Sequence, residues 1–204
     1  MKIEKDCLKD FPASKSQLIR AYLCKSYHQQ LFISNPSSAD DVALAVQATH
    51  TLLHNPEKNL RLDAGAAGAI FRFYCLRLSK ISGEHEIFGT ARLFLRSHRA
   101  LLDVLEQLHV QVEKKTHSWI LKVPSSNWDS LKKAQTLKVD MSESSQTASA
   151  VLLNSWNLDF DLSLKLSSQK VSLPYWDMSL KLFKSMGGKL HNDIDTYTVS
   201  KNQQ

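Results

Sequence analysis

Four stretches of this chain place small, hydroxylated or cationic residues where a helix is expected to begin, the position at which backbone N–H groups lack partners. "SKSQLIR" (14–20) puts Lys15 and Ser16 in a first turn, with Arg20 four residues beyond Ser16 and therefore on the same helical face. "DAGAAGA" (63–69) offers bare backbone amides, because Gly65 and Gly68 carry no side chain to block approach. "FLRS" (94–97) sets Arg96 immediately before a helix. "SESSQ" (142–146) sets Ser144, Ser145 and Gln146 at the mouth of another, ahead of the apolar run Ala150, Val151, Leu152, Leu153. Helix N-termini attract anions through their dipole and unpaired donors. Starts that converge on one cleft would bind a doubly or triply charged anion.

Each element also has a plainer use. Serines at helix starts are commonly caps, and Gly65 and Gly68 suit ordinary turns, since neither GxGxxG nor GxxxxGKS is present. Arg20, Arg72 and Arg96 fit surface ion pairs worth under ~1 kcal/mol each. His50 and His54 lie at i, i+4, but without the glutamate of HExxH they read as a solvated face and not as a zinc site. No GxSxG elbow is present for a serine hydrolase.

The elements that must position these groups alternate between strand and helix. The first helix follows Pro12 and is expected from about Ser14 to Tyr27, and "LFISN" (31–35) reads as a short strand ending at Pro36. "SSADD" (37–41) has the capping-box pattern and opens a helix to about Leu53. "HNPEKN" is a turn, "LRLDAG" a strand entering a glycine bend, and "AAGAIFRFYCLRL" a helix apolar on nearly every face, hence buried all round. "HEIFGTARLFLR" is strand-like, and Ser97 begins an amphipathic helix on Leu101, Leu105 and Leu108. "HVQVEKK" and "SWILKVP" look like a strand pair, "LKVDM" like a short strand, and "LDFDLSLKL" alternates with period two. A last helix starts near Pro174 and stops at Gly187-Gly188, and "LHNDIDTYTVS" closes as a strand. The sum is an α/β domain whose strand–helix modules recur without a strong sequence repeat.

Composition narrows the partners. The chain has 204 residues, 43% hydrophobic and 23% charged, with net charge +6; that is enough chain for a substantial core and an excess of charge that favours anions. The basic residues are scattered, without an arginine-rich run or aromatic–basic interleaving, so small anions rank ahead of nucleic acid. No apolar run suits a membrane span, and "MKIEKDCLKDF" has charges where a signal peptide needs its apolar segment. Cys7, Cys24 and Cys75 are odd in number and far apart, which suits reduced thiols and a cytoplasmic home.

Taken in order, "SKSQLIR", "SSADD", "DAGAAGAIFRF", "RLFLRSHRALLDVL", "SESSQ" and "SLPYWDMSLKLFKSMG" resemble the N-terminal half of the EPSP synthase family over roughly residues 12 to 190. Lys15-Ser16 is similar to the aromatic-pathway members and not to the cell-wall relatives, which carry Lys-Asn. The resemblance implies that residues 1–204 form one N-terminal lobe: three βαβαββ-type units about a pseudo-threefold axis, helices inside and sheets outside. It implies that Lys15 is catalytic and touches phosphoenolpyruvate as well as shikimate-3-phosphate. Ser16 and Arg20 would hold the ring and carboxylate of shikimate-3-phosphate, Ser144, Ser145 and Ser172 its phosphate, with Gln146 and Tyr175 along the ring. Gly68 and Arg96 would bind phosphoenolpyruvate, and Arg72 would be structural. No cofactor or metal is implied.

Three departures accompany the resemblance. Ala69 replaces the threonine of a Gly-Thr pair, and Ala66 stands where Asn is common. The family's enzymes carry a second lobe, with the acid/base carboxylates and further cations, which would be a partner for this one. The lobe alone is therefore expected to bind shikimate-3-phosphate weakly and turn over negligibly. The alternative expectation is a non-catalytic phosphometabolite-binding module on the same fold.

Overall fold

The computed structural model describes residues 14–34, 37, 39–55, 59–125, 128–133 and 136–203. Cys7, Pro12, Pro36, Ser38 and residues 56–58 of the expected turn lie outside them. Helix α1 (Lys15–Lys25) starts where Ser14 accepts a hydrogen bond from the Gln17 amide, and it buries Leu18, Ile19, Leu23 and Cys24. Helix α2 (Asp40–His54) opens on two acids that suit its positive end, but its N-cap is Ala39, without a side-chain cap bond. The serine capping box expected there does not form at Ser37, whose Oγ instead accepts from the Ala39 amide.

After these two helices the chain runs through the same topology twice. Strand β1 (Arg61–Asp63), helix α3 (Gly68–Leu78) and strand β2 (Gly83–Phe88) form a parallel crossover. A single turn α4 (Ala91–Phe94) and helix α5 (Arg99–Gln107) lead to the hairpin β3 (Gln111–Lys114) and β4 (Ser118–Val123). The second pass is β5 (Leu137–Met141), α6 (Gln146–Leu153), β6 (Leu162–Lys170), α7 (Leu173–Ser185) and the hairpin β7 (Leu190–Asp193) and β8 (Thr196–Val199). The sheets have orders β1-β2-β4-β3 and β5-β6-β8-β7, each with one parallel pair followed by antiparallel neighbours. Each pass is a complete βαβαββ unit. Of the three units expected, the described residues contain two, preceded by the helix pair α1 and α2 without strands of its own.

Helices α1, α3 and α6 pack on one another at the centre. Nine of eleven residues of α3 and seven of eight of α6 are buried, which is why their sequences are apolar on every face. The sheets show the alternation of half-buried strands instead: Leu137, Val139 and Met141 are buried and Lys138 exposed in β5, and Leu162, Leu164 and Leu166 are buried in β6.

Several expected boundaries move, each for a local reason. Leu31–Ser34 forms no strand; Leu31 is buried and Phe32 is 70% exposed, with no sheet edge paired to them among the described residues. The strand expected through 85–96 ends at Phe88, because the Gly89 Cα packs against the Gly65 carbonyl and the chain then turns into α4. Helix α5 begins at Arg99 instead of Ser97, and the closing strand is a hairpin turned at Ile194 and Asp195. Strand β6 starts only at Leu162, after Trp156 and Leu158 have entered the core.

Lys80 links the two units. Its ammonium donates to the carbonyls of Asn154 and Trp156 at the end of α6, and it lies over the rings of Tyr27 and Trp128 at 5.2 and 5.3 Å. Burial, with Arg77 nearby, pulls its pKa down to about 7, while the carbonyls and ring faces favour the cation. Replacing Lys80 with Met should cost about 1–3 kcal/mol, since two carbonyls lose a charged donor. Urea unfolding at mildly acidic pH measures it, and an unchanged midpoint would contradict this role.

Candidate functional site

The N-terminal ends of α1, α3, α6 and α7 meet at a cleft of about 500 Å³, bordered also by the start of α2 and by the α4 turn. Each of the ten residues that the resemblance assigned to substrate lines it, whereas Gly65 does not. Lys15, Ser16 and Arg20 come from α1, Gly68 from α3, and Arg96 from the turn after α4. Ser144, Ser145 and Gln146 come from the α6 start, and Ser172 and Tyr175 from the α7 start. Helix starts gather here because the βα connections of both units and the beginning of α1 point the same way.

Two buried arginines build the walls, so neither is the surface ion pair that its sequence context allowed. Arg20 is 2% exposed and donates from Nε to Ser179 Oγ (2.8 Å), from Nη1 to Ser16 O (2.8 Å) and from Nη2 to Tyr175 O (3.2 Å). Burial lowers its pKa to about 10, so it remains a cation at neutral pH, and two of the five guanidinium donors are left for the cleft. Arg72 donates from Nη1 to Gly68 O (3.1 Å) and Gln146 Oε1 (3.0 Å), and from Nη2 to Ser97 O (2.8 Å). With its oxygen held by Arg72, Gln146 has its amide nitrogen left for a ligand. Arg72 stands behind the cleft and braces it.

Gly68 is required by this crowding. A Cβ there would lie 2.6 Å from Arg72 Nη1, 3.3 Å from Arg96 Nη1 and 3.4 Å from Gln146 Oε1. Gly65 has φ +54°, the left-handed turn that lets β1 bend into α3.

The serines divide by geometry. Ser145 is fully buried, and its hydroxyl donates to Ser172 O (3.1 Å), tying the α6 start to the α7 start. Ser144 Oγ accepts from the Gln146 amide (3.2 Å), which leaves its own O–H free to donate. Ser172 caps α7 with φ +57°, a conformation that costs a non-glycine residue about 1 kcal/mol and is stored at the rim of the cleft. Ser142 closes a turn on Asp140, and Ser149 is buried within α6.

Two charged lining residues carried no site expectation. Asp41 pairs with Lys15 at 2.9 Å, setting the lysine ammonium at the mouth of the cleft. Its signal was present in "SSADD", where an acid at a helix start reads as a dipole partner. Arg92 lines the cleft from α4, in a segment whose apolar alternation reads as strand. The cleft thus holds Lys15, Arg20, Arg92 and Arg96 against the single acid Asp41. Among the described residues no group of three or more His, Cys, Asp or Glu side chains is arranged to hold a metal ion, and no helix is long and apolar enough to cross a membrane.

Comparison with known proteins gives a consistent result. A family model described as EPSP synthase (3-phosphoshikimate 1-carboxyvinyltransferase) matches residues 26–204. The match begins after Lys15, Ser16 and Arg20, which are tied to the site by their motif and by the cleft. The 3-phosphoshikimate 1-carboxyvinyltransferase of Bacteroides fragilis (strain YCH46) is 31% identical over 177 residues, covering 86% of this chain and 41% of the relative. That of Colwellia psychrerythraea (strain 34H) is 27% identical over 156 residues, covering 73% and 35%. A solved structure of EPSP synthase from Acinetobacter baumannii superposes with a TM-score of 0.65 at 14% identity, over 95% of this chain and 46% of that one, a likeness of fold. The chain spans less than half the length of these relatives.

Two outcomes follow from the geometry. Gly68→Ala should destabilise the lobe by about 1–3 kcal/mol, because the added Cβ would displace a guanidinium that three acceptors hold in place; a variant with unchanged stability and anion affinity would contradict the close packing. His98, packed on Phe71 and Trp119, has its pKa lowered to about 4 by burial and the neighbouring cations Arg72, Arg96 and Lys114, against its bond to Leu93 O. The folded state holds it neutral while the unfolded chain protonates near the ordinary histidine value. Stability should therefore fall as pH drops from about 6.5 toward 4. Urea midpoints across that range should show a shallower slope for His98→Gln, and an identical slope would refute the assignment.

Proposed function

This chain belongs to the EPSP synthase family, and from that premise we propose that it is the shikimate-3-phosphate-binding lobe, over residues 1–204, of a cytoplasmic enolpyruvyl transferase. The 5-hydroxyl of shikimate-3-phosphate gives up its proton to a base as its oxygen bonds to C2 of phosphoenolpyruvate, while C3 takes up a proton from an acid. The C2–O bond to phosphate then breaks, C3 returns a proton, and phosphate leaves. The observation that carries the proposal is the convergence of ten sequence-nominated residues on one cationic cleft, nine from four helix starts and Arg96 from the turn after α4.

The residues present suit that chemistry. Both substrates are anions that repel one another, and fixed donors in a low-dielectric cleft offset that repulsion without reorganising. Ser144 O–H and Ser172 offer donors to the sugar-like phosphate beside the free end of Gln146. Arg20 turns its remaining donors to the ring carboxylate, and Tyr175, 48% exposed, covers the ring. Lys15 and Arg96, with the Gly68 backbone, take phosphoenolpyruvate, and Lys15 is the catalytic cation of this lobe. The acid/base carboxylates belong to a second lobe, which is the partner required for turnover.

A second reading, a binding module without turnover, is favoured by one observation: Ala69 lines the cleft without the hydroxyl of the family's Gly-Thr pair. Supplying a second lobe as a separate chain and assaying phosphate release distinguishes the two readings. For the binding claim, calorimetric titration with shikimate-3-phosphate should give weak, saturable binding. The Ser144→Ala/Ser172→Ala double variant should weaken it by at least about tenfold with the fold retained. Absence of binding by the parent chain at millimolar ligand would overturn the proposal.

A further inference from the structure

We propose that Arg92 is an anion-binding residue, a second guanidinium that joins Arg96 on the phosphate of phosphoenolpyruvate; this rests on the function proposed above. The argument begins with where the arginine charges go. Arg20 and Arg72 are anchored by backbone and side-chain acceptors inside the fold, Arg20 keeping two donors for the cleft. Arg61 pairs with Glu86, Arg77 bonds Ser26 and faces the Tyr27 ring, and Arg99 reaches Asp103. Arg92 and Arg96 alone make no ion pair, side-chain hydrogen bond or ring contact among the described residues, and both line the cleft.

The backbone that carries them is anchored. Leu93, between them, is fully buried, and its carbonyl accepts from His98 Nε2 at 2.9 Å. The Thr90 amide donates to Gly65 O at 2.8 Å, and the Gly89 Cα packs so closely on that carbonyl that a Cβ would lie 2.4 Å from it. The α4 turn is thus fastened to the same glycine bend that delivers Gly68, and its two arginines flank a stretch of anchored backbone. Asp41, the only carboxylate among the described residues that line the cleft, is already paired with Lys15. Two unpaired guanidinium forks on a rigid turn suit a dianionic phosphate, which accepts bidentate hydrogen bonds from each.

The test is titration of the full chain at low ionic strength with inorganic phosphate, phosphoenolpyruvate and shikimate-3-phosphate, on the parent and on Arg92→Gln, Arg96→Gln and Arg99→Gln. The last removes the same charge outside the cleft. Arg92→Gln should weaken phosphate and phosphoenolpyruvate by about tenfold, Arg99→Gln by less than about twofold, and shikimate-3-phosphate should keep its affinity. If Arg92→Gln behaves like Arg99→Gln while Arg96→Gln is impaired, this inference falls and the proposed function stands. If Arg92→Gln weakens all three ligands equally, the effect is general charge and the inference also falls. If the parent binds none of them, the function proposed above fails and takes this inference with it.

Discussion

The buried guanidinium of Arg72 joins three segments that meet at the cleft. One Nη1 serves the Gly68 carbonyl at the α3 start and the Gln146 side chain at the α6 start, and Nη2 serves Ser97 just before α5. Those are the segments that carry the glycine bend, the serine cluster and Arg96. A buried cation of this kind is tolerable only because its donors meet oxygens. Gly68 must be glycine so that the guanidinium can approach, and Gln146 is oriented as a by-product of satisfying it. Arg20 does for α1 and α7 what Arg72 does for α3 and α6, through Ser16, Tyr175 and Ser179.

The cleft is consequently a cationic cavity with anchored arginines inside and exposed cations at its rim. Arg20 and Arg72 are held by internal acceptors, whereas Arg92, Arg96 and the Asp41-paired Lys15 line the cleft. Anion binding then needs little rearrangement of the walls, since the donors already face one volume. The Ser145–Ser172 bond and the left-handed Ser172 fix the opposite rim in the same way.

Much of this was legible in the residue order, because helix starts have a local signature. Ser14 before an apolar periodic run, the glycine bend ahead of the apolar α3, and "SESSQ" before α6 all announce themselves. What escaped was set by tertiary contact. Residues 91–94 alternate like a strand, but Leu93 is drawn into the core and the Gly89–Gly65 approach ends β2, which brings Arg92 to the cleft. Asp41 reads as a helix-start acid until Lys15 is seen 2.9 Å away. The doubled βαβαββ topology left no sequence repeat, since the two units share strand order and buried helices but not residues at matching positions.

The central claim is that these helix starts form one binding site for shikimate-3-phosphate. Backbone amide shifts recorded while that ligand is titrated into the isotopically labelled chain test it most directly. The account predicts saturable shifts concentrated at Lys15–Arg20, Ser144–Gln146 and Ser172–Tyr175, with the outer sheet strands unmoved. Shifts spread over the exposed sheet faces, or none at saturating ligand, would contradict it.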